Sequence, residues 1–225
     1  MEIVSGIHQV DGVNGNCYII AHKSLTLIDT GLPNSGEKIL AYIRDVMHRD
    51  PQEIADIVIT HAHWDHTGGL PAIRAAAPRA KISIGEQDAC YIDGTRPHPG
   101  PKGILGLKIK FRQRHWHPVK IVPDVVLKDG DRIAGLICVT LPGHTPGSIG
   151  LLDGTNRAFF CGDILRSDGT AVILGPREFS LDPARELSSL EKLANLEFDL
   201  LLPGHGVPLR PGASAKVREY TRTLT

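Results

Sequence analysis

Within ten residues, Thr60-His61-Ala62-His63-Trp64-Asp65-His66-Thr67-Gly68-Gly69, the chain sets three imidazoles and a carboxylate directly behind an apolar, β-branched run, Ile54–Thr60. Neutral imidazole and carboxylate are good donors for borderline divalent metals. The run before them reads as a buried strand. His61 and His63 continue it in an extended segment, so their i, i+2 spacing aims both rings the same way. Asp65 and His66 are adjacent and leave the following turn in different directions, where they can serve a second ion. A polar surface loop would account for one such histidine, but not for this density at the end of an apolar strand. A closed metal site wants about four ligands, so further donors are expected at other strand ends.

Three more segments supply them. Leu141-Pro142-Gly143-His144-Thr145-Pro146-Gly147 puts His144 after an apolar run, Phe159-Phe160-Cys161-Gly162-Asp163 puts Asp163 after another, and Leu201-Leu202-Pro203-Gly204-His205-Gly206 puts His205 after a third. Each donor is preceded by a glycine. Taken singly, these are turn or capping residues. Taken together, four separate strand-end loops offering N and O donors call for a metal.

Around these loops the pattern alternates. Strands are expected at Cys17–Ala21, Leu25–Asp29, Ala80–Ile84, Val119–Val122, Val125–Leu127, Leu136–Leu141, Ser148–Leu152, Arg157–Cys161 and Phe198–Leu202. Helices are expected at Gly36–His48, Asp65–Ala77, Glu86–Ile92, Asp182–Leu196 (Asp182 as N-cap, Pro183 at the first position) and Ala213–Thr223. Such an order suggests sheets covered by helices rather than an all-β sandwich. No short repeat and no linker divides the 225 residues, so one domain over 1–225 is expected. The segment at about 93–118, rich in proline and glycine, reads as an insertion forming a lid or substrate wall.

The set His-x-His-x-Asp-His, Gly-His-Thr-Pro-Gly, Gly-Asp and Gly-His-Gly resembles the metallo-β-lactamase superfamily, over nearly the whole chain from Ile28-Asp29-Thr30-Gly31 to His205. The resemblance implies a mixed α/β (α+β) fold of four layers, an αββα sandwich of two ββα halves with the site at the seam. It implies two divalent ions, zinc first and iron or manganese as alternatives. His61, His63 and His144 would hold one, Asp65, His66 and His205 the other, and Asp163 would bridge them. Such a pair of metals lowers the pKa of a shared water towards about 7, and the resulting hydroxide would cleave an ester, thioester, lactone or related bond of a small molecule. Asp65 would also help orient that hydroxide, which makes it the catalytic candidate. Asp29 matches an early aspartate of the family. It reads either as a turn residue before Gly31 or as a carboxylate that accepts a ligand imidazole N–H and fixes its tautomer.

Trp64 resembles the glyoxalase II-like thioesterases in this motif, although packing under the helix explains it equally. Those enzymes usually carry a C-terminal helical substrate domain, and only a short tail follows His205 here, which speaks against glutathione thioester specificity. Tyr91, His115, Trp116 and His117 are the candidates for substrate contact. From Asp93 to Lys120 seven basic residues face one acid, as an anion-attracting wall or as a solvated insertion. Over the whole chain 25 Lys and Arg balance 25 Asp and Glu, so the bulk charge names no nucleic-acid partner. A phosphodiesterase or nuclease and an iron-dependent sulfur dioxygenase remain the alternative activities. No apolar run approaches the roughly 20 residues of a membrane helix, and the N-terminus carries no secretory pattern. A cytoplasmic enzyme acting on a small molecule is expected, without a membrane partner and with oligomerisation open. Cys17, Cys90, Cys138 and Cys161 form no C-x-x-C pair and read as reduced thiols.

Overall fold

A computed structural model of the chain describes residues 1–97, 100, 106–108, 111 and 120–224. His115, Trp116, His117 and most of the expected 93–118 insertion lie outside them. The first sheet has seven strands in sequence order: β1 (Glu2–Val4), β2 (Ile7–Gln9), β3 (Tyr18–Ala21), β4 (Leu25–Ile28), β5 (Ile54–Ile59), β6 (Lys81–Gly85) and β7 (Val125–Leu127). Its first four strands pair antiparallel, and β4 to β7 run parallel. The second sheet orders β14 (Leu200–Pro203), β11 (Ala158–Gly162), β10 (Ile149–Asp153), β9 (Leu136–Thr140) and β8 (Arg132–Ile133). A small third sheet joins β13 (Val172–Ile173), β12 (Arg166–Asp168) and β15 (Gly206–Val207).

Strand alternation builds the layers. On β3, Tyr18 and Ile20 face one apolar cluster while Ile19 faces another; on β11, Phe160 and Phe159 divide in the same way, as do Leu200/Leu202 and Leu201 on β14. The shared cluster, with Ile28, Val58, Cys138 and Leu151, fills the space between the two large sheets. The outer face of the first sheet packs on α1 (Ser35–Ala41) and α3 (Leu70–Ala76) through Ile39, Leu40, Leu70 and Ile73. The outer face of the second packs on α5 (Pro183–Ala194) and α6 (Ala213–Arg222) through Leu190, Leu193 and Val217. The fold is therefore the αββα sandwich expected. Strands buried on both faces are the reason β4, β5, β11 and β14 read as continuous apolar runs.

Several elements differ from expectation. The helix foreseen at Asp65–Ala77 is two: α2 (Trp64–Thr67) and α3, interrupted at Gly68 and Gly69. The helix at Gly36–His48 is α1 followed by a wider turn, Tyr42–Val46. Glu86–Ile92 is a tight turn, Glu86–Asp88, followed by α4 (Ala89–Ile92). Residues 120–122 form no strand. Short strands β1, β2, β8, β12, β13 and β15, two or three residues each, were not expected. Asp182 does cap α5, accepting from the Arg185 N–H at 3.1 Å.

The sheet-to-sheet contact yields a testable consequence. Phe160 is buried against Tyr18, with ring centroids 5.4 Å apart and edge to face. Phe160→Ala is expected to lower unfolding free energy by about 3–5 kcal/mol, measured by urea denaturation. A loss below about 1 kcal/mol would mean that the inter-sheet layer repacks freely, against the cavity cost expected of a dense core.

Candidate metal centre

All seven candidate donors lie at one edge of the sandwich, because the strands that lead to them point the same way. β4, β5 and β6 are parallel in the first sheet. In the second, β9 and β11 each run antiparallel to β10, and β14 runs parallel to β11. The chain therefore leaves β4, β5, β6, β9, β11 and β14 at one rim. The two sheets are also stitched there: Ile149 N–H donates to Thr60 O at 2.9 Å, and Asn16 N–H, just ahead of β3, donates to Gly204 O at 2.7 Å.

Within the rim the donors converge. His61 Nε2 lies 3.1 Å from His63 Nδ1, which lies 2.9 Å from His144 Nε2. Asp65 Oδ2 is 3.1 Å from His205 Nε2. Asp163 sits between the groups, with Oδ1 3.3 Å from His66 Nε2 and Oδ2 3.3 Å from His205 Nε2 and 3.7 Å from His144 Nε2. Among the described residues three sets have donor atoms close enough to share an ion: His61, His63 and His144; His61, His66 and Asp163; and Asp65, His66 and His205. Gly204 explains how closely the last turn approaches, since a Cβ there would lie 2.2 Å from Asp163 Oδ1.

The ring orientations are held from behind. Asp29 takes a left-handed φ of 59°, which aspartate tolerates better than most residues, and its carboxylate is spent on the motif. Oδ1 accepts the Thr60 N–H at 2.8 Å, while Oδ2 accepts the Thr60 hydroxyl at 2.7 Å and the His66 Nδ1–H at 2.8 Å. Of the two readings of Asp29, the contact with His66 matches the second. The Thr60 oxygen in turn lies 3.1 Å from His61 Nδ1. With Nδ1 hydrogens committed to these oxygens, His61 and His66 both turn Nε2 inward, and neutral His61 presents it as a bare lone pair. Thr30 N–H and hydroxyl both donate to His66 O, at 2.8 and 2.9 Å. The His205 turn is pinned by Tyr18 Oη and Asn16 Nδ2, both donating to Pro203 O at 2.8 Å.

Electrostatically the centre has two halves. Burial holds His61 well below the ordinary histidine pKa, lowers His144, and with His144 beside it pushes His63 down to about 3. Burial also opposes charge on His66, but the Asp163 and Asp29 carboxylates outweigh it and hold that pKa well above the usual value. His205, likewise disfavoured by burial, is pushed up to about 9 by Asp163 and Asp65. Burial works against the ionised carboxylates, yet His66 and His205 hold both Asp163 and Asp65 well below the usual range. One half is thus a neutral three-imidazole group, and the other alternates carboxylate and imidazolium.

A cation fits this donor set. Nitrogens facing one another at about 3 Å cannot all be satisfied by hydrogens of their own, and His63 Nε2, His66 Nε2 and Asp163 Oδ1 are buried without a hydrogen-bond partner among the described residues. The residues fit a group that binds several lone pairs at once.

Tyr91 of α4 packs, partly buried, on the apolar cluster of the first sheet's helix side. The sequence reading missed three polar residues here: Thr60; Glu186, whose Oε1 lies 3.7 Å from His144 Nδ1; and Asp88, which bonds to both the His61–His63 segment and the His144 turn. Thr60 and Asp88 do share the signal that marked Asp29, a polar side chain at the exit of a buried strand.

The metallo-beta-lactamase superfamily model matches residues 10–205. The chain is 27% identical over 230 residues to a probable metallo-hydrolase, YflN, of Bacillus subtilis (strain 168), covering 92% of this chain and 86% of that one. It is 29% identical over 170 residues to a hydroxyacylglutathione hydrolase of Saccharophagus degradans, covering 75% of this chain but 54% of that enzyme, so the match spans about half of the relative. Among solved structures, the BLEG-1 B3 metallo-beta-lactamase superposes with a TM-score of 0.74 at 19% identity, covering 97% of this chain and 99% of that one, which bears on the fold. From the family match, the sandwich and the strand-end donors together, the chain belongs to the metallo-β-lactamase superfamily and is one of its metal-dependent hydrolases.

Proposed function

We propose that the chain hydrolyses an ester, thioester, lactone or related bond of a small molecule with two divalent ions, zinc first. His61, His63 and His144 would hold one ion and Asp65, His66 and His205 the other, with Asp163 between them. The observation that carries this is the convergence of His61 Nε2, His63 Nδ1 and His144 Nε2 within about 3 Å of their neighbours, beside Asp163, whose oxygens lie 3.3 Å from His66 Nε2 and His205 Nε2, with Asp65 3.1 Å from His205 Nε2. When bound, divalent ions would supply Lewis acidity and lower the pKa of a coordinated water towards about 7. Relatives named for hydrolysis, among them hydroxyacylglutathione hydrolases, support the reaction class.

The chain's own residues divide the work by exposure. Asp163 is 5% exposed and Asp65 32%. Asp163 is thus committed to the buried interior, whereas Asp65 keeps part of its carboxylate open. Being ionised, Asp65 accepts a hydrogen bond from the attacking water and orients it. Asp29 and Thr60 fix the His66 and His61 rings with Nε2 inward, so the rings need no reorientation on binding, although His66 must give up its proton. No Gly-x-Ser-x-Gly elbow is present, in keeping with water as the nucleophile.

Metal content measured together with assays on thioester, lactone, β-lactam and phosphoester substrates tests the reading. Hydrolysis of one class by zinc-loaded protein is expected, while stoichiometric iron with oxygen consumption and no hydrolysis would overturn it. Asp163→Ala is expected to lose metal and activity together, by about 100-fold or more given a bridging position; full activity in that variant would remove the bridging assignment. Metal uptake also carries a pH signature. Ligands must be deprotonated, and in the metal-free protein His205 holds its proton up to about pH 9. Affinity should therefore rise with pH through neutrality, and titration calorimetry near pH 7 should show an enthalpy that changes with the buffer's ionisation heat. A buffer-independent enthalpy would contradict protonated His66 and His205.

A further inference from the structure

Asp88 lies three residues past β6, on the other side of β5 from Asp29. It is fully buried. Its place at the start of α4 is that of a helix cap, but its side chain makes no cap hydrogen bond. The carboxylate reaches across the rim instead. Oδ2 accepts the Ala62 N–H at 2.8 Å and the Thr145 hydroxyl at 2.6 Å, and Oδ1 accepts the Gly147 N–H at 2.7 Å. Ala62 separates His61 from His63, and Thr145 follows His144. One side chain therefore grips both segments that deliver the three-histidine group, through backbone N–H groups and a hydroxyl.

The surroundings are shaped for this reach. A Cβ on Gly147 would lie 2.3 Å from Asp88 N, and one on Gly85 would lie 2.0 Å from Gly147 O. The His144 turn thus rests backbone to backbone on the exit of β6, and glycine at both positions allows the carboxylate to meet it. Asp29 and Asp88 form a pair flanking the motif strand. Asp29 fixes His66 by its ring, and Asp88 fixes the spacing of His61 and His63 from His144 through the backbone.

We propose that Asp88 is the positioning residue of the three-histidine group, setting the separation of its two segments and hence its affinity for a divalent ion. The inference rests on the metal reading given under Proposed function. Asparagine is the informative replacement. A carboxylate accepts at both oxygens, whereas the amide has one oxygen, so either orientation aims an NH2 at the N–H of Ala62 or of Gly147.

The test is cobalt(II) and zinc(II) titration of the metal-free protein against a chromophoric chelator, for the parent, Asp88→Asn and Thr145→Val, with melting temperatures of the metal-free proteins alongside. Asp88→Asn is expected to weaken one of the two binding steps by about 10- to 100-fold while the other stays near the parent's, the size usual for loss of an outer hydrogen-bond partner. Thr145→Val removes one of the three bonds and should weaken the same step by less. Affinities equal to the parent's in both variants, whatever their melting temperatures, would overturn the inference and leave Asp88 as an anchor of the fold alone. Should Asp88→Asn fail to fold, Thr145→Val decides by itself: weakening of one step supports the assignment, and unchanged affinity overturns it. A parent protein that binds no metal would overturn the metal reading and this inference with it, whereas a metal-binding parent with unchanged variants overturns the inference alone.

Discussion

The contact on which the rim depends is the carboxylate of Asp29, shared between Thr60 and the His66 ring. A buried carboxylate is expensive to desolvate unless its lone pairs are used. Here the donors that use them belong to the segment that must be held. The last residue before the motif, the ring of its fourth donor and, through the Thr60 hydroxyl, the tautomer of its first are fixed by one side chain. The left-handed backbone at Asp29 is tolerable in that setting, because three hydrogen bonds determine where its carboxylate must lie.

Around that contact the fold supplies direction rather than chemistry. Within each sheet the three strands that feed the rim run the same way, and the contacts among their exits bring them together at one edge of two facing sheets. Apolar alternation on those strands fills three separate layers, which leaves the rim as the place where polar side chains from both sheets meet. Burial at the seam then works on the donors unequally. It neutralises the three-imidazole group, whose members have no carboxylate at hydrogen-bond distance, and it fails to neutralise His66 and His205, which face Asp163 and Asp65.

Much of this was legible from residue order. The strands leading to the candidate donors are apolar runs, and His61, His63, Asp65, His66, His144, Asp163 and His205 each sit one to seven residues past such a run, which is why residue order singles them out as candidates. The sandwich followed from the same runs and from the family resemblance. What escaped has a common cause: it depends on partners distant in sequence. Strands of two or three residues such as β12 and β15 exist through pairing with each other and carry no period of their own. The break between α2 and α3 at Gly68 and Gly69 could be placed only once the segment docked. Asp88 read as part of a helical stretch, and its role at the rim is defined by Thr145 and Gly147, 57 and 59 residues further on.

On the proposed reading, the gradient of exposure across the centre bears on how a fold of this kind can keep residues that activate water and change its substrate. His61, His66 and His144 are at most 3% exposed, and their orientation is settled by Asp29 and Thr60 and by the segments Asp88 joins. None of those groups borders open solvent, so substitutions that reshape an outer wall need not disturb them. The side chains of Asp65 and His205, 32% and 20% exposed, form the boundary where a substrate can meet the centre. On the proposed reading, a residue lining that boundary alters which bond is presented, while a residue behind the histidines alters whether an ion is held at all. The two kinds of substitution therefore separate experimentally, the first in KM and substrate preference at constant metal content, the second in metal affinity before any substrate is present.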